Sequence, residues 1–388
     1  EICKELQDQG LSQVFRRKTG LTLDPYFSGT KIKWLLDKMD LQTRAEQGDV
    51  CFGTVDSWLV WNFTGGKVFA TDYSNASRTL LLNINDLNWD QELLEVLGVP
   101  KHSLPELRPS SHTYGLTAGI CGIPAGIPIA GVIGDSQGAL MGQSCFKPGM
   151  AKATYGTGTS MMVYAGTETI VPPEGMVLTV AWSCNDSTAY ALEGVINATG
   201  AIVKWLRDGL QLIDDVSKTE ELAKSLHSNE GVYLVPAFTG LGAPYWDMEA
   251  RALICGVTYS TSRSHLIRAG LESIAYQVKD VVDLVSAGGG PAITALRVDG
   301  GASNNRFLMQ FQSDILGVDV LKPEIEELSA LGAAYLAGLE VGVWQDFDEI
   351  AELWKATAHY RPTMPEERRT ELYAGWKDAV QRALTQQS

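Results

Sequence analysis

Three short segments combine glycine with residue types that bind an anion or accept a proton. The first, "YGTGTS" (155–160), joins two apolar runs through glycines and hydroxyl side chains. Successive backbone N–H groups in such a turn point into one concavity and bind an anion, and threonine hydroxyls add further donors. A plain β-hairpin with glycines at positive φ explains the same letters. The segment alone leaves both interpretations open.

The second segment, "VDGGASNN" (298–305), is a strand end, a glycine pair and the beginning of a helix near Ser303 or Asn304. Backbone without side chains lets a nucleotide approach closely, and the amide of Asn305 offers hydrogen bonds to a base or a ribose. The alternative is a helix that Ser303 merely caps. This turn, too, is ambiguous by itself.

The third segment, "GVIGDSQGAL" (131–140), places Asp135 after an apolar run that predicts a buried strand. Ligands of α/β sheets bind at the carboxyl ends of strands. A carboxylate there can accept a proton from a substrate hydroxyl and act as a general base. Capping of the next helix by Asp135 or Ser136 is the structural alternative.

The surrounding pattern indicates which elements position these segments. Predicted strands alternate with predicted helices, as in an α/β protein with layered sheets. Residues 265–285 carry an apolar stripe at helical spacing, whereas "GALMGQ" (138–143) and "ALGAAYLAGL" (330–339) are rich in small residues that allow close helix packing. The order of the segments is that of a two-domain ATP-binding fold that closes around its ligands.

Length and charge exclude several classes of protein. The 388 residues suggest two domains. A net charge of −15 without a basic block argues against binding to nucleic acid or to an anionic membrane. No apolar run approaches the ~20 residues of a membrane-spanning helix. The six cysteines and five histidines are scattered, so we expect reduced thiols in a cytoplasmic protein and no zinc site.

Eight separate blocks resemble the FGGY carbohydrate kinases of the actin-like ATPase superfamily, in family order. The resemblance implies a two-domain actin-like (ribonuclease H-like) α/β fold with an incomplete first domain. Residues 1–144 would be the remainder of the N-terminal, polyol-binding domain, and residues 145–388 the C-terminal, nucleotide-binding domain. The blocks are "DPYFSGTKIKWLLD" (24–37), "TDYSNASRTLLLNI" (71–84), "YGTGTS" (155–160), "YALEG" (190–194), "VPAFTGLGAPYWD" (235–247), "LESIAYQ" (271–277), "LRVDGGASNN" (296–305) and "FLMQFQSDILG" (307–317).

The resemblance also implies an activity: ATP-dependent phosphorylation of a terminal hydroxyl of glycerol or of a closely related polyol. Asp135 matches the general base, and Tyr26 matches a residue that lines the polyol site. ATP and Mg²⁺ are the implied cofactors, and the ligands of the metal stay unknown. The positions that match nucleotide contacts are Gly156, Thr157, Gly158, Gly200, Gly300, Gly301 and Asn305.

The sequence departs from the family pattern in two ways. The first phosphate loop and an Arg-Glu pair that binds the polyol have no match, so about one subdomain, and with it part of the active site, is expected to be absent before Glu1. Family members that act on glycerol usually have Gln after the catalytic Asp and Phe two residues beyond the GTG turn. Here Ser136 and Ser160 occupy these positions, and we assign both to substrate binding. The smaller side chains predict tolerance of a tetritol, a pentitol or a sugar such as xylulose.

Other classes of protein stay open at this point. A non-catalytic actin-like nucleotide-binding protein is one alternative, although it has no need for a carboxylate such as Asp135. A sensor that binds a polyol without phosphorylating it is another. The resemblance further implies a homo-oligomer, a dimer or a tetramer, whose interface the sequence does not identify.

Overall fold

The structure is a computed structural model that describes residues 1–385, so the last three residues of the predicted second domain lie outside it. The α-helices are α1 (Ile2–Asp8), α2 (Ser12–Thr19), α3 (Ser28–Lys38), α4 (Gln42–Glu46), α5 (Val55–Phe63), α6 (Tyr73–Ala76), α7 (Gln91–Leu97), α8 (Asp135–Gly142), α9 (Gly200–Lys204), α10 (Lys218–Lys224), α11 (Arg263–Ala287), α12 (Arg306–Leu316), α13 (Leu328–Glu340), α14 (Phe347–Leu353) and α15 (Glu366–Ala383). Short 3₁₀ turns cover Lys101–Ser103 and Gly301–Asn304, and a π-helical turn covers Trp205–Gly209.

Strands occur in both halves of the chain. They are β1 (Ala70–Asp72), β2 (Leu82–Asn83), β3 (Asn88–Trp89), β4 (Glu106–Arg108), β5 (Ser111–Ala118), β6 (Ala125–Gly131), β7 (Met150–Tyr155), β8 (Thr159–Gly166), β9 (Val177–Cys184), β10 (Ser187–Ile196), β11 (Tyr233–Val235), β12 (Leu253–Cys255), β13 (Ala295–Asp299), β14 (Asp319–Pro323) and β15 (Ala356–Tyr360).

A seven-stranded mixed sheet organises the second half of the chain, in the order β15-β14-β13-β7-β8-β10-β9. β13 runs parallel to both β14 and β7, while β7, β8, β10 and β9 are antiparallel neighbours. The register pairs Asp299 at the end of β13 with Thr154 near the end of β7. The glycine turns that follow β7 and β13 therefore lie at the same edge of the sheet.

Helix α11 confirms the apolar stripe that the sequence shows. The helix begins with a capping box between Ser262 and His265, and Gly288 follows its last residue. Ile267, Ile274 and Val281 are buried on its inner face. Burial of this stripe, not intrinsic helix propensity, supplies most of the stability of such a helix.

The strand before Asp135 differs from the prediction. β6 pairs with β5 in an antiparallel two-stranded sheet, and residues 125–128 are exposed. An apolar run predicts a strand that is covered on both faces. Here its first residues are Ala125, Gly126, Ile127 and Pro128, most of them small, so their exposure costs little. Only the last residues of the run, around Ala130 and Val132, are buried.

The two helices of small residues pack against each other, as their composition predicts. A Cβ added to Gly332 in α13 would overlap the carbonyl of Gly138 in α8, and one added to Gly142 would overlap the carbonyl of Leu328. The backbones therefore touch without intervening side chains. Asp135, the first residue of α8, is positioned by this crossing.

One apolar core joins the two halves of the chain. Its buried members include Leu21 and Leu81 from the first half and Leu178 and Ile274 from the second. The N–H of Leu178 also donates to the carbonyl of Gly20 (2.9 Å). Among the described residues, no helix has the length and apolar character to cross a membrane.

Candidate active site

Asp135 stands exposed at the beginning of α8. Its Oδ1 accepts a hydrogen bond from its neighbour's N–H, that of Ser136 (2.6 Å), and its carbonyl accepts one from Ser329 Oγ in α13 (2.8 Å). The remaining carboxylate oxygen forms no hydrogen bond with the described residues. Asp135 thus has a fixed backbone and a carboxylate that is open to solvent, as a general base requires.

A buried polar cluster fixes the backbone that precedes Asp135. The N–H of Gly134 donates to Ser74 Oγ (2.9 Å). Asp72 in turn accepts hydrogen bonds from the N–H of Ser74 (3.0 Å) and from Ser110 Oγ (2.7 Å). Burial, together with the nearby Asp56 carboxylate, raises the pKa of Asp72 to about 6. The cluster ties α6, the β4–β5 connection and α8 together beneath Asp135.

The GTG turn is the tip of the β7–β8 hairpin, as the hairpin interpretation predicts, but neither Gly156 nor Gly158 has a positive φ, so backbone conformation does not explain these glycines. Its carbonyl groups are occupied: the N–H of Gly200 donates to Gly156 O (3.0 Å), and those of Thr199 and Ala201 donate to Thr157 O (2.9 and 3.1 Å). The beginning of α9 is therefore docked on the turn. Its outer side stays open, because Gly156 and Thr157 are exposed and the Thr157 hydroxyl has no partner among the described residues.

The glycines of this turn divide into two kinds. A Cβ on Gly158 would overlap the carbonyl of Ile196, and one on Gly200 would lie 2.7 Å from Gly156 O, so both glycines are required by internal packing. A Cβ on Gly156 would meet nothing closer than Gly158 O at 3.6 Å. Protein packing leaves space above Gly156, which is where a ligand can approach the backbone.

The second glycine turn lies beside the first. Gly300 has φ +84° and lies against the backbone of Tyr155, whereas a Cβ on Gly301 would meet nothing within 4 Å. Both line a cavity of about 230 Å³ with Asp299, Ser303 and Lys322. The structure thus brings together the two glycine turns, which are more than 140 residues apart in the sequence.

Asn305, not Ser303, caps the helix after this turn, and α12 begins at Arg306. Asn305 Oδ1 accepts from the N–H of Leu308 (3.0 Å), and its Nδ2 donates to Thr219 Oγ1 (3.1 Å). Ser303 Oγ instead donates to the carbonyl of Gly300 (2.7 Å). The sequence placed the helix start two to three residues early because all three polar residues are acceptable caps.

On the substrate side, Tyr26 is 65% exposed and lines a cavity of about 190 Å³ together with Arg78, Glu193 and Trp246. An ion pair joins Arg78 Nη2 to Glu193 Oε2 (2.5 Å) in the wall of this cavity. The aromatic rings and the ion pair give the cavity apolar faces with a polar wall, which is the composition of a small-molecule site.

Ser136 and Ser160 connect Asp135 to this cavity. Ser160 Oγ lies 3.3 Å from Ser136 Oγ and 3.4 Å from Glu193 Oε1. The structure therefore brings the two serines, which the sequence assigned to the substrate, into contact with each other, and brings Ser160 close to Glu193 in the cavity wall.

Three charged residues of this region escaped the sequence analysis: Lys152, Glu193 and Arg78. Lys152 Nζ is completely buried and donates to Thr154 Oγ1 (3.1 Å) and to Ser160 Oγ (3.2 Å). For Lys152 and Glu193 the sequence did offer a signal, namely a single charged residue inside an apolar strand, in "MAKATY" and in "YALEGVI" respectively. Buried charges require partners, and they mark functional sites more often than exposed charges do.

Comparison with known proteins identifies the family. A model of the N-terminal domain of the FGGY family of carbohydrate kinases matches residues 1–142, and a model of the C-terminal domain of the same family matches residues 151–341. The chain belongs to the FGGY family. The predicted family membership and the predicted two-domain α/β kinase fold are therefore confirmed.

Individual FGGY relatives agree with the family models. The chain is 55% identical over 385 residues to glycerol kinase 2 of Thermotoga maritima and 52% identical over 384 residues to glycerol kinase of Bacillus subtilis. Each match covers 99% of this chain and 77% of the relative. Such identity over nearly the whole chain identifies an alcohol-acceptor phosphotransferase, as the sequence predicted.

Solved structures of FGGY kinases show the same fold. Plasmodium falciparum glycerol kinase with ADP superimposes with a TM-score of 0.93 at 37% identity, over 100% of this chain and 77% of that one. A ligand-bound xylulose kinase of Lactobacillus acidophilus gives a TM-score of 0.88 over 98% of this chain and 77% of that one. Its 23% identity supports the fold alone.

Proposed function

We propose that this FGGY kinase transfers the γ-phosphoryl group of ATP to a terminal hydroxyl of glycerol or of a closely related polyol, with Asp135 as the general base. The observation that carries the proposal is the position of Asp135, whose open carboxylate adjoins the Ser136–Ser160 pair. This pair leads to the cavity of Tyr26. Relatives that are more than 50% identical are named glycerol kinases.

In this mechanism the polyol lies between Asp135 and the cavity of Tyr26. The free carboxylate oxygen of Asp135 accepts the proton of the terminal hydroxyl as that oxygen attacks the γ-phosphorus. Ser136 and Ser160 bind neighbouring hydroxyl groups, and Tyr26 covers the carbon chain. Phosphoryl transfer depends mainly on such positioning and on charge stabilisation.

ATP is proposed to lie along the edge where the two glycine turns meet. Gly156, Gly301 and Thr157 face open space there, which supports close approach of phosphates to the backbone. Gly158, Gly200 and Gly300 have a packing role in addition, because each lies against neighbouring backbone. Contact of Asn305 with the base or the ribose stays a prediction, since its amide already caps α12 and binds Thr219.

The metal is proposed only as a partner of ATP. Within residues 1–385, no three His, Cys, Asp or Glu side chains are grouped so that they could hold an ion. The described residues therefore offer no cluster of three such ligands, the protein ligands of the metal stay unassigned, and we assign no step to a protein-bound ion. In nucleotide sites Mg²⁺ is held largely by phosphate oxygens and water, so we infer that it arrives with ATP.

Replacement of Asp135 tests the proposed function. Asp135→Asn keeps the shape of the side chain but removes its basicity, so we expect turnover of glycerol by the full-length protein to fall by about 10²–10⁴-fold. The affinity of this variant for ADP should stay within about twofold of that of the unaltered protein. ADP release in a coupled assay gives the rate, and calorimetry gives nucleotide affinity.

The matched control for this variant is Asp37→Asn, which removes an exposed carboxylate whose one ion-pair partner within residues 1–385 is Lys33 (3.2 Å). This variant should retain full turnover. If Asp135→Asn retained turnover within about tenfold, roughly 1.4 kcal/mol, the assignment of the base would be wrong.

A longer polyol or a sugar is the second candidate substrate. The contact between Ser136 and Ser160 supports it, because two short hydroxyl side chains leave polar space next to the base. A kinetic comparison of glycerol, a tetritol, a pentitol and xylulose separates the candidates. Strict preference for glycerol would contradict the larger-pocket hypothesis.

The domain boundary at residue 144, the dimeric or tetrameric state and the cytoplasmic location stay predictions.

A further inference from the structure

The buried ammonium of Lys152 lies directly beneath the proposed polyol site. It belongs to strand β7, has no exposed surface and donates to Thr154 Oγ1 and Ser160 Oγ. Burial lowers its pKa, while the carboxylates of Asp299, Glu193 and Asp135 oppose this shift and favour the charged form. An ammonium group is a donor without acceptor capacity, so it sets the direction of the hydrogen bonds that follow.

Ser160 is the next residue in this series of hydrogen bonds. Its oxygen accepts from Lys152, so its single hydroxyl hydrogen is left for Ser136 Oγ (3.3 Å) or for Glu193 Oε1 (3.4 Å). In the first arrangement the hydroxyl hydrogen of Ser136 stays free, because Ser160 donates to Ser136 Oγ, and this is the arrangement on which the inference rests. Among the described residues, no hydrogen bond uses Ser136 Oγ as a donor, and Ser136 is only half-buried.

We propose that Lys152 is a positioning residue that acts through Ser160 and keeps Ser136 as a hydrogen-bond donor to a substrate hydroxyl beside Asp135. The inference rests on the proposed polyol kinase function and extends it to a residue that does not touch the substrate. The substrate group is an alcohol oxygen that accepts from Ser136, next to the hydroxyl that gives its proton to Asp135. A fixed donor at this position selects a 1,2-diol over a simple primary alcohol.

Three variants test the series of hydrogen bonds. Lys152→Met keeps the length of the side chain without its charge, Ser160→Ala interrupts the series, and Ser136→Ala removes its final donor. Each should raise the dissociation constant of glycerol, measured by calorimetry on the full chain, by about tenfold. The KM for ATP should change by less than about twofold. Lys152→Gln keeps the proposal testable if Lys152→Met does not fold, because its amide can donate or accept and no longer fixes the direction of the bond, whereas Ser160→Ala also removes a proposed substrate contact.

A double variant distinguishes positioning from a merely structural role. If Lys152 acts through Ser136, the variant that combines Lys152→Met with Ser136→Ala should bind glycerol no more weakly than Ser136→Ala alone. Thr154→Val is the matched control, because it removes the other partner of Lys152 and leaves the contact with Ser160. This control should bind glycerol normally.

The possible outcomes separate the two proposals. Normal glycerol binding by folded Lys152→Met and Ser160→Ala, or additive losses in the double variant, would overturn the role of Lys152 while leaving the kinase function intact. If the unaltered chain bound neither glycerol nor the other polyols, both proposals would fail together. The unaltered protein should bind propane-1,2-diol more tightly than propan-1-ol. Loss of this difference in Ser136→Ala would support the diol preference.

Discussion

Individual glycines in the two turns have distinguishable roles, although the sequence presents them as equivalent. Gly158 and Gly300 lie against neighbouring backbone, whereas Gly156 and Gly301 face open space. The first kind is needed for the fold, and the second kind is free to serve a ligand. Substitution of single glycines can therefore separate a role in folding from a role in nucleotide binding.

Alanine at Gly156 should leave the fold intact and weaken nucleotide binding. The added methyl group has room in the protein but occupies the space through which phosphates reach the backbone. We expect an unfolding midpoint within a few degrees of the original and a KM for ATP about tenfold higher. Gly158→Ala, the matched variant, should lose stability because its Cβ overlaps a carbonyl. An unchanged KM in Gly156→Ala would contradict phosphate binding at this turn.

Neighbours in the chain determine which of these residues the sequence could predict. Gly156 and Asp135 were assigned from local patterns and from the family resemblance, which required only their neighbours in the chain. Lys152 was missed because its role depends on Ser160 of the next strand, which a linear pattern does not place beside it. Partners across a hairpin follow from its turn type and loop length, which the letters of 155–160 leave ambiguous.

The crossing of helices α8 and α13 determines where Asp135, the proposed base, stands. Ser329 Oγ of α13 donates to the carbonyl of Asp135, and the two backbones touch at Gly138 and Gly332. The small residues of both helices predicted close packing but not the partner. The exposure of β6 was not predictable either, because an apolar run carries no information on what covers it.

Gly332→Ala tests this crossing, because two effects of the substitution change the free energy of unfolding in opposite directions. Helix propensity alone would stabilise the variant by about 1 kcal/mol. Overlap with the Gly138 carbonyl should outweigh this gain, since overpacking costs about 1–3 kcal/mol or more. We therefore expect a lower unfolding midpoint and a lower turnover, because α8 carries Asp135.

Thermal denaturation and the coupled ADP assay measure both quantities for Gly332→Ala. Ala334→Ser changes an exposed position of the same helix and should leave both unchanged. A stabilised, fully active Gly332→Ala enzyme would show that the two helices do not have to touch.

At the scale of the whole molecule, the two family domains share one apolar core. Leu21 and Leu178 belong to the same cluster, and the carbonyl of Gly20 accepts from Leu178 N–H. Two predicted domains would suggest two independent folding units. A continuous core instead couples them, because neither part can lose its contacts without exposing apolar surface of the other.

We therefore expect the chain to unfold in a single cooperative transition. Denaturation curves followed by far-ultraviolet circular dichroism and by tryptophan fluorescence should coincide. Saturating ADP should shift the transition as a whole, by about 2.7 kcal/mol at a hundred times its dissociation constant. Two separated transitions, or a shift of only one of them with ADP, would show that the domains fold independently.

The docking of α9 on the GTG turn has a consequence for detecting the nucleotide. The amides of Thr199, Gly200 and Ala201 donate to carbonyls of that turn, on main chain more than forty residues earlier. Their hydrogen-exchange rates therefore report how firmly the turn is held. A ligand that settles on the open side of the hairpin should slow exchange at these hidden amides, which gives a label-free signal that it has arrived.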